Sequence, residues 1–317
     1  MSNKSAWPRA AASALAFCAA AACAADAVAQ QTYIPLVSKG FQHQFWQAVK
    51  SGAEQAGKDY RVRITFEGPE SEAMVDKQID MLASALARHP GAIGFAALDS
   101  KAAIPLLKKA QAAHIPVIAF DSGVDSDIPA TTATTDNRAA AALAADKMAQ
   151  LIGDAGEVGL VVHDQTSRTG VDRRDGFVDR IRSAHPKVTI VGVQYGGGDH
   201  LKSTEIAKSM LQAYPNLKGI FGANEGSAVG VVNAVRETHR KIVVIGYDSG
   251  KQQKDAIREG LEAGAITQNP VGIGYKTVEA AVKALKGEKL PKVIDTGFYW
   301  FDKTNIDDPK IAAVLYD

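Results

Sequence analysis

Beyond residue 29 this 317-residue sequence has no cysteine: Cys18 and Cys23 are its only two. Thiol catalysis and cysteine-ligated metals are thereby excluded for the rest of the chain. Neither sign of charge dominates, with 36 Lys and Arg against 35 Asp and Glu, so the electrostatic footprint of a nucleic-acid binder is missing. After residue 30 no apolar run is long enough to span a bilayer. The sequence also lacks G-x-S-x-G, G-x-G-x-x-G after a strand, a P-loop and H-E-x-x-H. Its seven histidines, His43, His89, His114, His163, His185, His200 and His239, have no metal-ligand spacing, and most fall at helix ends and turns where water would solvate them. These absences argue for binding over catalysis, with neither cofactor nor metal.

What is present begins with an export signal. Lys4 and Arg9 precede a small-residue apolar run over 10–25, and Ala27-Val28-Ala29 offers the small residues a signal peptidase needs. Residues 1–29 therefore read as a secretory signal peptide, cut before Gln30. The run is mostly alanine and falls short of the ~20 apolar residues of a membrane span, which weighs against a retained anchor. Lipid attachment at Cys18 or Cys23 is a further alternative, although Phe17 is bulky and the alanines before Cys23 lack the usual large aliphatic residue. Lys4, Arg9 and Asp26 are the only charges in the segment, so the exported chain would balance 34 basic against 34 acidic residues. The expected compartment is the periplasm. A chain of this size can manage that oxidising space without disulfides because its core is large.

Short β-rich runs at 32–37, 62–66, 92–96, 117–120, 158–162, 189–193, 219–221 and 243–247 alternate with amphipathic stretches at 45–57, 73–88, 102–113, 138–152, 170–184, 204–213, 227–237 and 271–286. That alternation predicts parallel sheet covered by helices, with too many strands for one small sheet. A Thr-rich extended segment over 131–135 leads to Asp136 and Asn137 as a helix cap. The sequence then repeats its opening theme of strand, polar loop and glycine-bearing helix, with Gly52-Ala53 in the first copy and Gly176-Phe177 in the second. The expected fold class is α/β: two similar lobes, each a parallel sheet flanked by helices. A single eight-stranded βα barrel is the alternative, but it does not account for the extended join.

In open parallel sheets, ligands bind beyond the carboxyl ends of the strands. Asp121 follows the 117–120 run, Asp248 the 243–247 run, Asn224 and Glu225 the 219–221 run, and His43, Phe45 and Trp46 the first run. Turn or cap roles would explain each aspartate singly, whereas their joint placement points to a ligand. The residue types suit a polyhydroxylated one: a carboxylate accepts from two neighbouring hydroxyls, Arg173 donates to hydroxyl or ring oxygens, and an aromatic ring covers the C–H face of a sugar. As neighbours on a helix, one of Phe45 and Trp46 is expected to face inward and the other outward. Gly196-Gly197-Gly198, followed by Asp199 and no cation, reads as a flexible loop and not an anion cradle.

A family resemblance rests on an ordered series of motifs. These are Phe45-Trp46 ahead of Gly52-Ala53, Pro116-Val117-Ile118 leading to Asp121, Thr135-Asp136-Asn137, Arg173 ahead of Gly176-Phe177, Asn224-Glu225, Gly246-Tyr247-Asp248, and Ile266-Thr267-Gln268 before Pro270. Over nearly its full exported length the chain resembles the periplasmic sugar-binding proteins of the ribose-binding type, the solute receptors of ABC transporters. The resemblance implies that Phe45 and Trp46 sandwich a sugar ring and that Asp121, Arg173, Asn224, Asp248 and Gln268 form its polar clamp. It also implies three interlobe crossings near Thr134, Gln268 and Thr296. The N-terminal lobe would then hold residues 30–134 and 269–296, and the C-terminal lobe 135–268 and 297–317. Closure about that hinge would bury the ligand and form the surface read by the membrane permease.

Three departures from the family pattern bear on the ligand. Ser122 stands where the pattern has an Arg, His43 lies in a longer loop where it has an Asn, and the glycines ending at Gly198 replace an aromatic. Ser122, Glu225 and His43 join the clamp and the aromatic pair as expected ligand-binding residues, in a pocket more acidic and roomier than one for ribose. A neutral monosaccharide or polyol ranks ahead of an amino sugar. The chain thus reads as a monomeric, non-enzymatic receptor serving an ABC importer, with a chemoreceptor or sensor kinase as an alternative client. A sugar-responsive repressor would need a helix-turn-helix where the export signal lies, and a secreted hydrolase would need the missing nucleophile elbow.

Overall fold

The computed structural model describes residues 1–2 and 31–316. The expected signal peptide beyond Ser2, its cut site and both cysteines lie outside the described residues. The first half of the chain runs β1 (Tyr33–Val37), α1 (Gln44–Asp59), β2 (Arg63–Glu67), α2 (Val75–Ala87), β3 (Ile93–Phe95), α3 (Ile104–Ala112), β4 (Val117–Phe120), β5 (Thr131–Thr134) and α4 (Asn137–Ile152). The second continues β6 (Gly156–Val162), α5 (Arg168–Ala184), β7 (Val188–Tyr195), α6 (His200–Ala213), β8 (Leu217–Gly222), α7 (Glu225–Thr238), β9 (Val243–Tyr247), α8 (Lys251–Glu259) and β10 (Gly264–Gln268). It ends with α9 (Pro270–Leu285), β11 (Val293–Asp295), β12 (Phe298–Phe301) and α10 (Pro309–Ala312).

The strands form two open sheets in the orders β11-β5-β4-β3-β1-β2 and β12-β10-β9-β8-β6-β7. All neighbours are parallel except β12, which runs antiparallel to β10. Two open sheets rule out the single barrel. The Thr-rich join is itself a strand, β5, paired on both sides, and its residues alternate between buried and half-buried as on a pleated strand. The periodicity had hidden β10 as well. All five of its residues are buried, and its first is a glycine because a Cβ at Gly264 would meet the Trp300 ring at 2.3 Å.

Each sheet borrows a helix from the chain leaving the other. α4 follows β5 yet packs on α5 and the second sheet, while α9 follows β10 yet packs on α1 and the first. Both exchanged helices approach their partners closely, which explains the repeated glycine motif. A Cβ at Gly52 would stand 2.0 Å from Val271 O, and one at Gly176 would stand 2.4 Å from Arg138 O. The core of the first lobe gathers Ile34, Leu36, Ile118 and Phe120 with Val278 and Ala281 of α9; that of the second gathers Ala140, Ala144 and Met148 of α4 with Leu160, Phe177 and Phe221.

Helix capping divides the helices in a way that matters at the site. The Asp136 carboxylate accepts from Ala139 N, as its sequence context predicts, and Ser167, Asp199, Asn224, Asn269 and Asp308 cap α5, α6, α7, α9 and α10 in the same manner. The residues preceding α1, α2, α3 and α8, namely His43, Met74, Ala103 and Gly250, supply no side-chain cap, and of these His43 and Gly250 lie beside the cleft.

Candidate ligand-binding site

The loops beyond β1, β2, β4, β6, β8, β9 and β10 converge on one small cavity. Its first-lobe wall holds Lys39, His43, Phe45, Trp46, Glu72 and Asp121; its second-lobe wall holds His163, Arg173, Asn224 and Asp248, with Gln268 at the crossing. Asp121 and Asp248 occupy corresponding places, at the ends of β4 and β9, and both have left-handed backbones (φ 54° and 81°). Aspartate tolerates that conformation better than most residues. The reversal at Asp121 turns its carboxylate into the cavity and its neighbour away.

Eight of the expected residues meet in this cavity, and two lie outside it. Ser122 is fully buried behind Asp121 with its hydroxyl unpartnered, because successive residues at a strand end point in opposite directions. Glu225 lies at the start of α7, where its carboxylate accepts from the backbone N–H groups of Gln44 and Phe45 and from the Tyr316 hydroxyl. Lys39, Glu72 and His163 were overlooked, although each follows the end of β1, β2 or β6 and the strand-end rule could have found them. Most histidines are indeed at least half-exposed, but His43 and His163 are buried here.

Lys39 corrects the expectation of a more acidic pocket. It is 3% exposed, and its ammonium lies 3.2 Å from Asp121 Oδ2 and donates to Thr169 Oγ1 of the second lobe at 2.9 Å. The cation missing at position 122 is thus supplied from the β1 loop. Burial opposes the charge on Lys39, but Asp121, Glu72 and Asp164 outweigh it and hold its pKa above the ordinary value. Since Asp121 Oδ2 has no hydrogen bond, Lys39→Met strands a buried carboxylate and is expected to cost about 3–5 kcal/mol of stability. Denaturant melts check this, and Asp121→Asn added to Lys39→Met should recover much of the loss.

The pocket is not roomier at the glycines either. Gly198 packs against Glu72 and Asn224, where a Cβ would stand 2.9 Å from Glu72 Oε2, so the Glu72 carboxylate takes the space an aromatic would fill. Gly198 is buried and its carbonyl accepts from Gln42 across the cleft; the glycine run is a packed turn and not a loose loop. Burial pushes the Glu72 pKa up, but Lys39, His43 and His163 bring it below the ordinary value, and Trp46 Nε1 donates to it at 2.7 Å.

Phe45 and Trp46 are both buried, because the first turn of α1 lies between the cavity and the lobe core. The expected inward and outward division does not hold. Their planes stand 83° apart at 4.9 Å, making a corner that Trp46 extends edge-on toward Phe120. Opposite them, Arg173 donates from Nε to Asn137 Oδ1 at 2.7 Å and from a terminal nitrogen to Ala223 O at 3.0 Å. Its guanidinium lies over Tyr247, 3.8 Å from the ring centroid, and three N–H donors are left uncommitted by these two bonds. Asp248 accepts from Gln268 Nε2 at 2.7 Å and from Glu225 N at 3.0 Å, and burial raises its pKa against the pull of Arg173 and Gln268. Burial, then Lys39 and Arg173, depress His163 well below the usual imidazole range, so it stays neutral at pH 7.

Two α/β lobes presenting donors, acceptors and an aromatic corner to an enclosed cleft define a two-lobed solute receptor. The chain belongs to the periplasmic binding protein domain family, whose model matches residues 34–289. It is similar to the D-ribose/D-allose-binding protein of Pseudomonas aeruginosa, with 28% identity over 265 residues, covering 80% of this chain and 82% of that protein. Among solved structures, it resembles a carbohydrate transporter solute-binding protein from Agrobacterium radiobacter in complex with D-arabinose (TM-score 0.87, 32% identity, 90% of this chain and 99% of that one). An ABC transporter solute-binding protein from Agrobacterium vitis with bound D-fucose is equally near (TM-score 0.86, 34% identity, 90% and 100%).

Proposed function

We propose that the protein is an exported, non-enzymatic solute receptor that captures a neutral monosaccharide or polyol between its lobes and delivers it to an ABC importer. The observation that carries this reading is the convergence of Asp121, Arg173, Asn224, Asp248 and Gln268 with the Phe45–Trp46 corner on one cavity. The sugar-bound neighbours and the periplasmic family support it. Carboxylates and amides accept from and donate to hydroxyls, while the rings cover C–H faces. Three connections join the sheets, at 134–137, 268–270 and 295–298, and serve as the hinge.

Charge favours a neutral ligand. Lys39 is paired with Asp121, and Arg173 lies among Asn137, Ala223 O and Asp248, so an anionic ligand would have to displace an internal partner of one cation. A thermal-shift screen over pentoses, hexoses, polyols and amino sugars tests the reading, since a ligand of the folded state raises the melting temperature. At least one neutral compound is expected to do so, with the corresponding sugar acid binding at least about tenfold more weakly because of the displaced partner. No shift with any neutral sugar or polyol would sink the proposal.

A further inference from the structure

We propose that Glu225 and Gln44 form a latch of reciprocal helix caps that holds the lobes closed, each lobe capping a helix of the other. The Glu225 carboxylate, in the second lobe, accepts from Gln44 N at 3.1 Å and from Phe45 N at 3.2 Å, the first two N–H groups of α1. In return, Gln44 Oε1 of the first lobe accepts from Lys251 N at 2.7 Å, the first N–H of α8. These two helices begin at His43 and Gly250 without a side-chain cap of their own. Each therefore starts with backbone N–H donors that its own N-cap side chain leaves unmet and that a side chain of the opposite lobe accepts from, and a carboxylate at a helix N-terminus also meets the positive end of the helix dipole.

Three further observations describe the latch, which lies beside the ligand cavity. Neither Glu225 nor Gln44 lines it. Gly250 lies where the two side chains converge: a Cβ there would stand 2.8 Å from Glu225 Oε1 and 3.0 Å from Gln44 Oε1, although its φ of −57° suits any residue. Tyr316 adds a third strand to the tie, its hydroxyl donating to Glu225 Oε2 at 3.2 Å while its ring meets Phe45 edge-on. Opening the cleft breaks the bonds of Gln44 N, Phe45 N and Lys251 N together, so the latch sets the closed population, and apparent affinity scales with that population.

The inference rests on the proposed function only where ligand is used, and its first test needs none. The exported chain has no cysteine, so spin labels can be placed at Lys58→Cys and Lys187→Cys, one exposed site in each lobe, without background labelling. Distance distributions are then measured with and without the sugar found by screening, in the parent and in Gln44→Ala, Glu225→Ala and Gly250→Ala. The closed population is expected to fall in each variant, with affinity lowered by about tenfold and release faster. The loss should be the same factor for every sugar bound, because no ligand contact has changed, and Gly250→Ala, which removes no side chain, should melt like the parent. A closed population unchanged in all three variants under both conditions would overturn the latch, as would an affinity loss that differs from sugar to sugar. A wild type that binds no sugar but whose labels move apart in the variants would overturn the functional reading and leave the latch standing.

Discussion

Asp248→Asn is expected to weaken sugar binding by at least about tenfold while leaving the melting temperature unchanged or higher, because a charge-assisted contact is worth about 1.5–3 kcal/mol. Asparagine keeps the shape and tolerates the left-handed backbone at this position (φ 81°). It also keeps its partners: Gln268 can turn its amide to accept from the new NH₂ while Thr135, now bonded to Gln268 Oε1, accepts in its place. Binding suffers because a neutral amide offers one acceptor oxygen to the two hydroxyls that a carboxylate can serve.

Stability moves the other way. Burial raises the Asp248 pKa above its ordinary value, so the folded state holds its proton longer than the unfolded chain does. Such a group destabilises the fold progressively as pH rises beyond the ordinary carboxylate value, and Asp248→Asn removes that loss at neutral pH but not in acid. Calorimetry with the cognate sugar and melts across pH read both effects. An affinity close to the parent's would remove Asp248 from the site.

Stability of the whole protein is expected to fall by about 4–5 kcal/mol between pH 4.5 and pH 9 on account of a single residue, Glu262. Its carboxyl is 1% exposed and, among the described residues, accepts only from Gln253 Nε2 at 3.2 Å and leaves Oε2 without a partner. Burial pushes its pKa up to about 8, with Gln253 offsetting little of the shift. The sign follows directly. The unfolded chain releases this proton near 4.5 and the folded protein near 8, so the folded state is increasingly disfavoured across that window and the loss is complete above it. Glu262→Gln, neutral at every pH and of the same size, should melt like the parent at pH 4.5 and well above it at pH 9. Parallel pH profiles for the two proteins would show that Glu262 ionises without cost.

The two-lobed α/β architecture was legible because its signals are local. Apolar runs such as 117–120 and 243–247 coincide with β4 and β9, and strand ends mark where a ligand would lie. Asp121, Asn224 and Asp248 were found in that way, whereas Arg173, inside α5, came from its chemistry and the family resemblance. β10 escaped because its small residues are chosen for Trp300, a neighbour far along the chain, and not for any periodic pattern. The place of Ser122 was misjudged because a turn of one residue decides which of two adjacent side chains enters the cavity.

By itself, then, the sequence determined the alternation of strands and helices from β1 to β9, the glycines that let α1 and α5 meet their partner helices, and the acidic residues at the ends of β4 and β9. All of these follow from local periodicity and from which residues stand next to a strand end. Tertiary structure alone decided that Lys39 replaces a cation missing at 122, that Glu72 fills the space above Gly198, and that Glu225 caps a helix instead of a sugar. Those pairings join residues as far as 181 positions apart. Charge balance and burial are satisfied between such residues in space, and no window of sequence contains both partners.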